Sequence, residues 1–130
     1  MTHRAAIIGV GDRGSVYARA CIAAGLEIAS IYDVDPKRID AFFERFGDHT
    51  HPQAAASLEE CLSSDADIAI IAVPAYYHCD YAMAAMEHGK HVLSEKPFDL
   101  DLAKVARLGE VARRTGRKFA VGHQYHNFRN

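Results

Sequence analysis

The fold class this sequence predicts is an open, doubly wound α/β domain on a parallel sheet, and three observations predict it. Short apolar runs rich in β-branched residues alternate with segments of helical period along the whole chain. The connections are short, with no internal repeat, low-complexity segment or linker. The first apolar run leads at once into Gly9, Gly11 and Gly14, spaced as G-x-G-x-x-G at the opening of a helical segment. Alternation of this kind means parallel strands joined by right-handed crossovers. A chain of 130 residues reads as one domain, residues 1–130, able to bury roughly two-thirds of the surface its unfolded form exposes.

The elements follow in order. Ala5, Ala6, Ile7 and Ile8 form a run too short for a helix and bounded by glycine, hence a buried strand. Residues 15–24 are alanine-rich and helical, and residues 26–32 make the next strand, ended by Asp33. Asp35 followed by Pro36 is an N-cap with proline at N1. The helix after it carries Ile39, Phe42, Phe43 and Phe46 as a buried stripe and stops at Gly47. Residues 48–56 hold at most a short edge strand, since Pro52 argues against a central one. Ser57 and Glu60 have the capping-box spacing and start a short helix to about Leu62. Residues 67–73 are a nearly continuous apolar run, suited to a parallel strand covered on both faces. Pro74 stops it, a helix spans 76–87 before Gly89, and residues 91–95 form another strand, broken at Lys96 and Pro97. Asp99 or Asp101 caps a helix to about Arg114 with Leu102, Val105, Ala106, Leu108 and Val111 inward; residues 118–122 are the last strand.

Composition narrows the function classes. Apolar content of 49% and charged content of 25% are those of an ordinary globular domain. A net charge of −2 without a basic stripe argues against nucleic acid as a partner. No apolar run approaches membrane-spanning length and no signal-peptide core opens the chain, which excludes a membrane partner and points to the cytoplasm. Cys21, Cys61 and Cys79 are odd in number and far apart, as expected of reduced thiols rather than a disulfide framework. The histidine pairs 49/51, 88/91 and 123/126 lack acidic or thiol ligands at suitable spacing, so no metal site is expected.

In a sheet of this kind a ligand sits outside the carboxyl ends of the strands. Gly9 permits a tight strand-to-helix turn, Gly11 lets a pyrophosphate approach the backbone, and Gly14 lets helix and strand pack closely. Val10, Asp12 and Arg13 complete the loop, and the unpaired amides that open the helix favour an anion by up to about 2 kcal/mol. Asp33 lies nineteen residues after Gly14, where a carboxylate accepts from the ribose hydroxyls of a dinucleotide. It would repel a 2′-phosphate, which favours NAD over NADP, although Lys37 and Arg38 offset part of that repulsion. Arg38 reads either as a cover over an adenine face or as a solvated helix arginine. Val73, Pro74, Glu95, Lys96, Pro97 and the residues from His123 onward follow other strands and converge on the same crevice. Lys96, between a strand end and a proline, can bind a nicotinamide ribose, orient a substrate hydroxyl or relay a proton.

Four stretches carry a resemblance to the glucose–fructose oxidoreductase/inositol dehydrogenase/MocA (Gfo/Idh/MocA) family. They are G-V-G-D-R-G at 9–14, Y-D-V-D-P-K-R at 32–38, V-P-A-Y-Y-H at 73–78 and G-K-H-V-L-S-E-K-P at 89–97. The resemblance implies a Rossmann fold and NAD(P)-dependent oxidation or reduction of sugars, polyols or related carbonyl compounds. It implies that Lys96 touches the nicotinamide ribose and assists catalysis, that Pro97 follows a cis peptide, and that Val73, Pro74 and His78 border the cofactor. The chain departs from the family pattern in having Ala75 where asparagine is common. It departs again at Gly122-His123-Gln124-Tyr125-His126-Asn127, where an arginine-containing stretch is common; Gln124 is the cofactor contact carried over there.

Family enzymes continue into a second α/β domain with the substrate pocket, so this chain is expected to bind cofactor and to lack turnover alone. A sugar or polyol substrate then requires the second domain, and apolar surface left by its absence keeps a homo-oligomer open. The alternative is a stand-alone NAD(H)-binding sensor or interaction module, for which Lys96 has no evident use.

Overall fold

The computed structural model describes residues 2–123. Its strands are β1 (Arg4–Ile8), β2 (Glu27–Tyr32), β3 (Gln53–Ala54), β4 (Ile68–Ile71), β5 (His91–Ser94) and β6 (Phe119–Val121). Between them lie α1 (Asp12–Ala23), α2 (Pro36–Phe46), α3 (Leu58–Leu62), α4 (His78–Glu87) and α5 (Leu102–Thr115). Every ladder is parallel, and the strand order is β3-β2-β1-β4-β5-β6. The chain starts at the centre, winds out to β3, then returns to the other side of β1. That reversal between β1 and β4 is the switch point at which such sheets open a crevice.

Alternation along the central strands builds two cores. Ala6 and Ile8 face α3, α4 and α5, meeting Leu62, Ala85, Met86 and Leu108. Ala5 and Ile7 face the opposite way, toward Ala18 and Cys21 of α1 and Phe42 and Phe46 of α2. All four are fully buried, which is why β1 reads as an unbroken apolar run rather than an alternating one.

Local signals act as expected at several helix starts. Asp35 accepts from the Lys37 amide at 3.0 Å with Pro36 at N1, and Asp101, rather than Asp99, caps α5 by accepting from the Ala103 amide at 2.9 Å. Ser57 accepts from the Glu60 amide at 3.1 Å, but the Glu60 carboxylate reaches past it to the Ala56 amide at 2.8 Å, one residue beyond a simple capping box. Gly47 ends α2 as expected, in right-handed conformation with φ −60°. Two expectations are corrected. The segment after Pro74 opens as a 3-10 turn at Ala75–Tyr77 before α4 begins at His78. Leu102 and Ala106 point outward, and Leu102 is 85% exposed. At 100° per residue they sit about 120° and 160° around α5 from Leu108, the residue that meets the sheet.

Candidate nucleotide-binding site

The strand registers decide where the site lies. Ile8 pairs with Tyr32 and with Ile71, Ile71 with Ser94, and Ser94 with Val121. Five strands therefore end on one line, and Gly9, Asp33, Ala72, Glu95 and Gly122 leave the sheet side by side. The ladder runs one step past the strands: Gly9 N donates to Tyr32 O, Ala72 N to Ile8 O and Gly122 N to Ser94 O, each at 2.8 Å, and Glu95 N to Ile71 O at 2.9 Å.

The glycine loop is shaped by close approach. Gly9 has φ +87°, and a Cβ on it would lie 2.5 Å from Ala72 O. A Cβ on Gly14 would lie 1.9 Å from Gly9 O, so helix α1 starts where only glycine fits. Gly11 is the N-cap and has no side chain to cap α1, and the positive end of the helix dipole faces the loop, which favours an anion there. This cradle fits the pyrophosphate of a dinucleotide. Asp12 is exposed beside it.

Asp33 holds the loop in place. Its side chain is 3% exposed; Oδ2 accepts from Val10 N and Oδ1 from Asp35 N, both at 2.9 Å. Arg38 Nη1 lies 3.7 Å from Oδ2, and the guanidinium passes over Gly11. Gly9, Asp33, Arg38, Val73 and Pro74 line a cleft enclosing about 60 Å³, together with Tyr32, Val34, Tyr77 and Tyr81. Arg38 therefore borders this cleft while its side chain stays 56% exposed. The tyrosines escaped the sequence reading. The available signal was Tyr77 and Tyr81 four residues apart just after a strand-stopping proline; their rings stack with centroids 5.6 Å apart.

At the end of β5 the backbone turns sharply, and the Lys96–Pro97 peptide is cis, as the resemblance implies. Lys96 is exposed at this turn. Glu95 points the other way and is 5% exposed. Its Oε1 accepts from Arg13 Nη2 and from the Tyr17 hydroxyl, both at 2.8 Å. Burial pushes its pKa up, but the hydrogen bonds from Arg13 and Tyr17, the guanidinium charge and the Lys96 amide outweigh burial, so the carboxyl sits below the usual glutamate value. Burial and the same carboxylate push the Tyr17 hydroxyl well above its usual range, so it remains a donor. Arg13 and Glu95, both expected against the cofactor, thus meet each other.

His78 is 1% exposed, and both ring nitrogens are taken: Nδ1 contacts Pro97 O at 2.8 Å and Nε2 contacts Val73 O at 2.7 Å. It reaches the cleft through the two strand-end loops it braces. Cys79, next to it, is pushed up to about 12 by burial and Asp99, so it is no thiolate at neutral pH. Cys21, Cys61 and Cys79 are free and buried. His88 faces Glu59 and Ala84 O while His91 accepts from the Lys118 amide, so this pair does not converge. Among the described residues no cluster of three or more His, Cys, Asp or Glu is placed for a metal, and no helix is long and apolar enough to cross a membrane. Gln124 and His126 lie outside the described residues.

Residues 3–123 match the model of the GFO_IDH_MocA oxidoreductase family, NAD-binding Rossmann fold. The chain is 31% identical over 121 residues to myo-inositol dehydrogenase Hyg17 of Streptomyces leeuwenhoekii, covering 93% of this chain and 36% of that protein. It is 37% identical over 97 residues to an uncharacterized oxidoreductase, ORF334, of Rhizobium meliloti, covering 74% of this chain and 28% of the other. The WlbA dehydrogenase of Chromobacterium violaceum, solved with NADH and UDP-GlcNAcA, superposes with a TM-score of 0.84 at 27% identity, over 92% of this chain and 34% of that one. The chain thus spans about a third of the length of these relatives.

Proposed function

Because the chain belongs to the Gfo/Idh/MocA oxidoreductase family and has its NAD-binding Rossmann fold, we propose that it is the cofactor-holding part of an enzyme acting on sugars, polyols or related carbonyl compounds. The observation that carries this reading is the row of strand ends that sets the glycine cradle, Asp33 and Lys96 along one edge. The Gly9 to Gly14 loop and the first amides of α1 receive the pyrophosphate, with Val10 and Asp12 forming its rim. Asp33 accepts from the adenosine ribose hydroxyls while keeping its bonds to Val10 and Asp35, and its charge selects NAD over NADP. Arg38 covers the adenine side of the cleft, and Val73, Pro74 and Tyr77 form the facing wall.

The chemistry a bound nicotinamide supplies is hydride transfer at C4. Lys96, exposed at the cis turn with Pro97, meets the nicotinamide ribose, orients a substrate hydroxyl and assists proton movement. His78 acts by bracing the loops at Val73 and Pro97. In this reading residues 1–130 form one dinucleotide-binding domain, and the substrate pocket comes from sequence outside this chain, which supports little turnover by the chain alone. The free, buried thiols support a reducing, cytoplasmic setting.

Calorimetric titration of the chain with NADH and NADPH tests the proposal. Tighter binding of NADH is the expected result; heat from neither nucleotide would refute it.

A further inference from the structure

Glu95 is among the most buried charged residues described, and the proposed function gives its carboxylate nothing to do. Its two partners, Arg13 and Tyr17, are four residues apart and so share one face of α1. That helix begins inside the glycine cradle, and Glu95 immediately precedes Lys96. Gly122, after the neighbouring strand, leaves room for the cluster: a Cβ there would lie 2.5 Å from the Tyr17 hydroxyl and 3.7 Å from Glu95 Oε1. From the opposite side, His78 Nδ1 sits 2.8 Å from Pro97 O. The Lys96 turn is therefore gripped at both of its flanks.

Stability alone gives no reason for this arrangement. A buried ion pair loses in desolvation much of what it gains in attraction, and an apolar group of similar volume often serves as well. What a hydrogen-bonded carboxylate supplies and an apolar contact does not is direction, since its oxygen fixes two donors at set angles. Here the donors belong to the helix that carries the phosphate end of the site, while the carboxylate belongs to the turn at its other end.

We propose that Glu95 is a positioning residue, which ties the Lys96 turn to α1 through Arg13 and Tyr17 and so sets the nicotinamide end of the cleft in register with the phosphate end. The proposal rests on the reading of Lys96 as the group that meets the nicotinamide half.

The test compares NADH with ADP, which lacks both the nicotinamide and its ribose, on the full chain and its variants by calorimetry, with NADH emission as a second readout. Glu95→Ala and Lys96→Ala each weaken NADH at least about tenfold, the worth of one charge-assisted hydrogen bond, and abolish the emission change. ADP stays within about twofold of wild type, because the cradle and Asp33 are untouched. The double variant is no weaker than either single one, as expected of residues acting as a unit. Glu95→Gln, whose amide oxygen still accepts from both donors, restores most of the binding. Should Glu95→Ala fail to fold, Tyr17→Phe removes one of the two hydrogen bonds with little change of shape and shifts NADH alone. Equal losses for both ligands, no loss for either, or losses that add with Lys96→Ala would overturn the positioning role. Wild-type binding of ADP without any gain from the nicotinamide half would instead remove the reading of Lys96 on which it rests.

Discussion

Replacing Asp33 by alanine separates two jobs that one carboxylate performs. The side chain is 3% exposed and accepts from the Val10 and Asp35 amides at 2.9 Å each. Without it the Val10 amide, in the buried part of the loop, loses its partner, and so does the half-buried Asp35 amide. At about 1–3 kcal/mol for an unsatisfied donor, with the Asp35 amide at the low end because water reaches it, the cost is about 2–4 kcal/mol. For a domain of this size that lowers the melting temperature by about 6–15 °C. The second effect falls on nucleotide choice. A carboxylate about 5 Å from a 2′-phosphate, at an effective dielectric near 20, repels each phosphate charge by about 3 kcal/mol. Its removal eases NADPH binding by about a hundredfold relative to NADH. NADH itself weakens by about ten- to a hundredfold through the lost ribose bonds. Thermal melts and calorimetry with both nucleotides measure the two effects separately. An unchanged melting temperature would mean that the carboxylate does not hold the loop. A retained preference for NADH would mean that another group reads the 2′ position, and the assignment of Asp33 would fall.

Gly14→Ala places a methyl group 1.9 Å from Gly9 O, so α1 has to move off the loop; a stability loss of about 1–3 kcal/mol and loss of NADH binding are expected from melts and titration. Leu108→Ala empties a site 4% exposed in the sheet-facing core and should cost about 2–4 kcal/mol in urea unfolding, whereas Leu102→Ala, at a position 85% exposed, should stay within about 0.5 kcal/mol. Glu95 titrates lower in the folded chain than in the unfolded one, so its contribution is complete above the usual glutamate value near 4.5 and is lost as pH falls through the folded value. Stability should therefore drop more steeply below pH 4.5 in wild type than in Glu95→Gln; parallel curves would show that the carboxylate carries no such linkage.

The elements and their caps were legible because their causes lie within a turn or two of the chain. An apolar run ended by glycine, a proline after Asp35 and a serine three residues before Glu60 act through hydrogen bonds and sterics of immediate neighbours. The G-x-G-x-x-G spacing and an acidic residue at the end of the next strand are local in the same sense, so the cradle and Asp33 could be named from the sequence. The outward turn of Leu102 and Ala106 was not legible. Both sit in a helical apolar pattern, and only the packing of Leu108 against the sheet sets which 100° step faces inward.

Three things belong to the tertiary structure alone. Arg13 and Glu95 are 82 residues apart and become partners because β5 ends level with β1, with only β4 between them, an outcome of strand order and register rather than of either residue's neighbours. Tyr77 and Tyr81 enter the cleft because α4 starts one 3-10 turn after β4, which aims their shared face at Arg38 and Asp33. His78 looked like a cleft-lining side chain, and its place between two strand-end carbonyls follows from the loops after β4 and β5 bringing Val73 O within 2.7 Å and Pro97 O within 2.8 Å of its ring. The chain alone thus determined which segments are strands and helices and where an anion would be welcomed. The approach of distant strand ends decided which charges meet, because a buried carboxylate takes the donor that the fold brings within hydrogen-bonding distance.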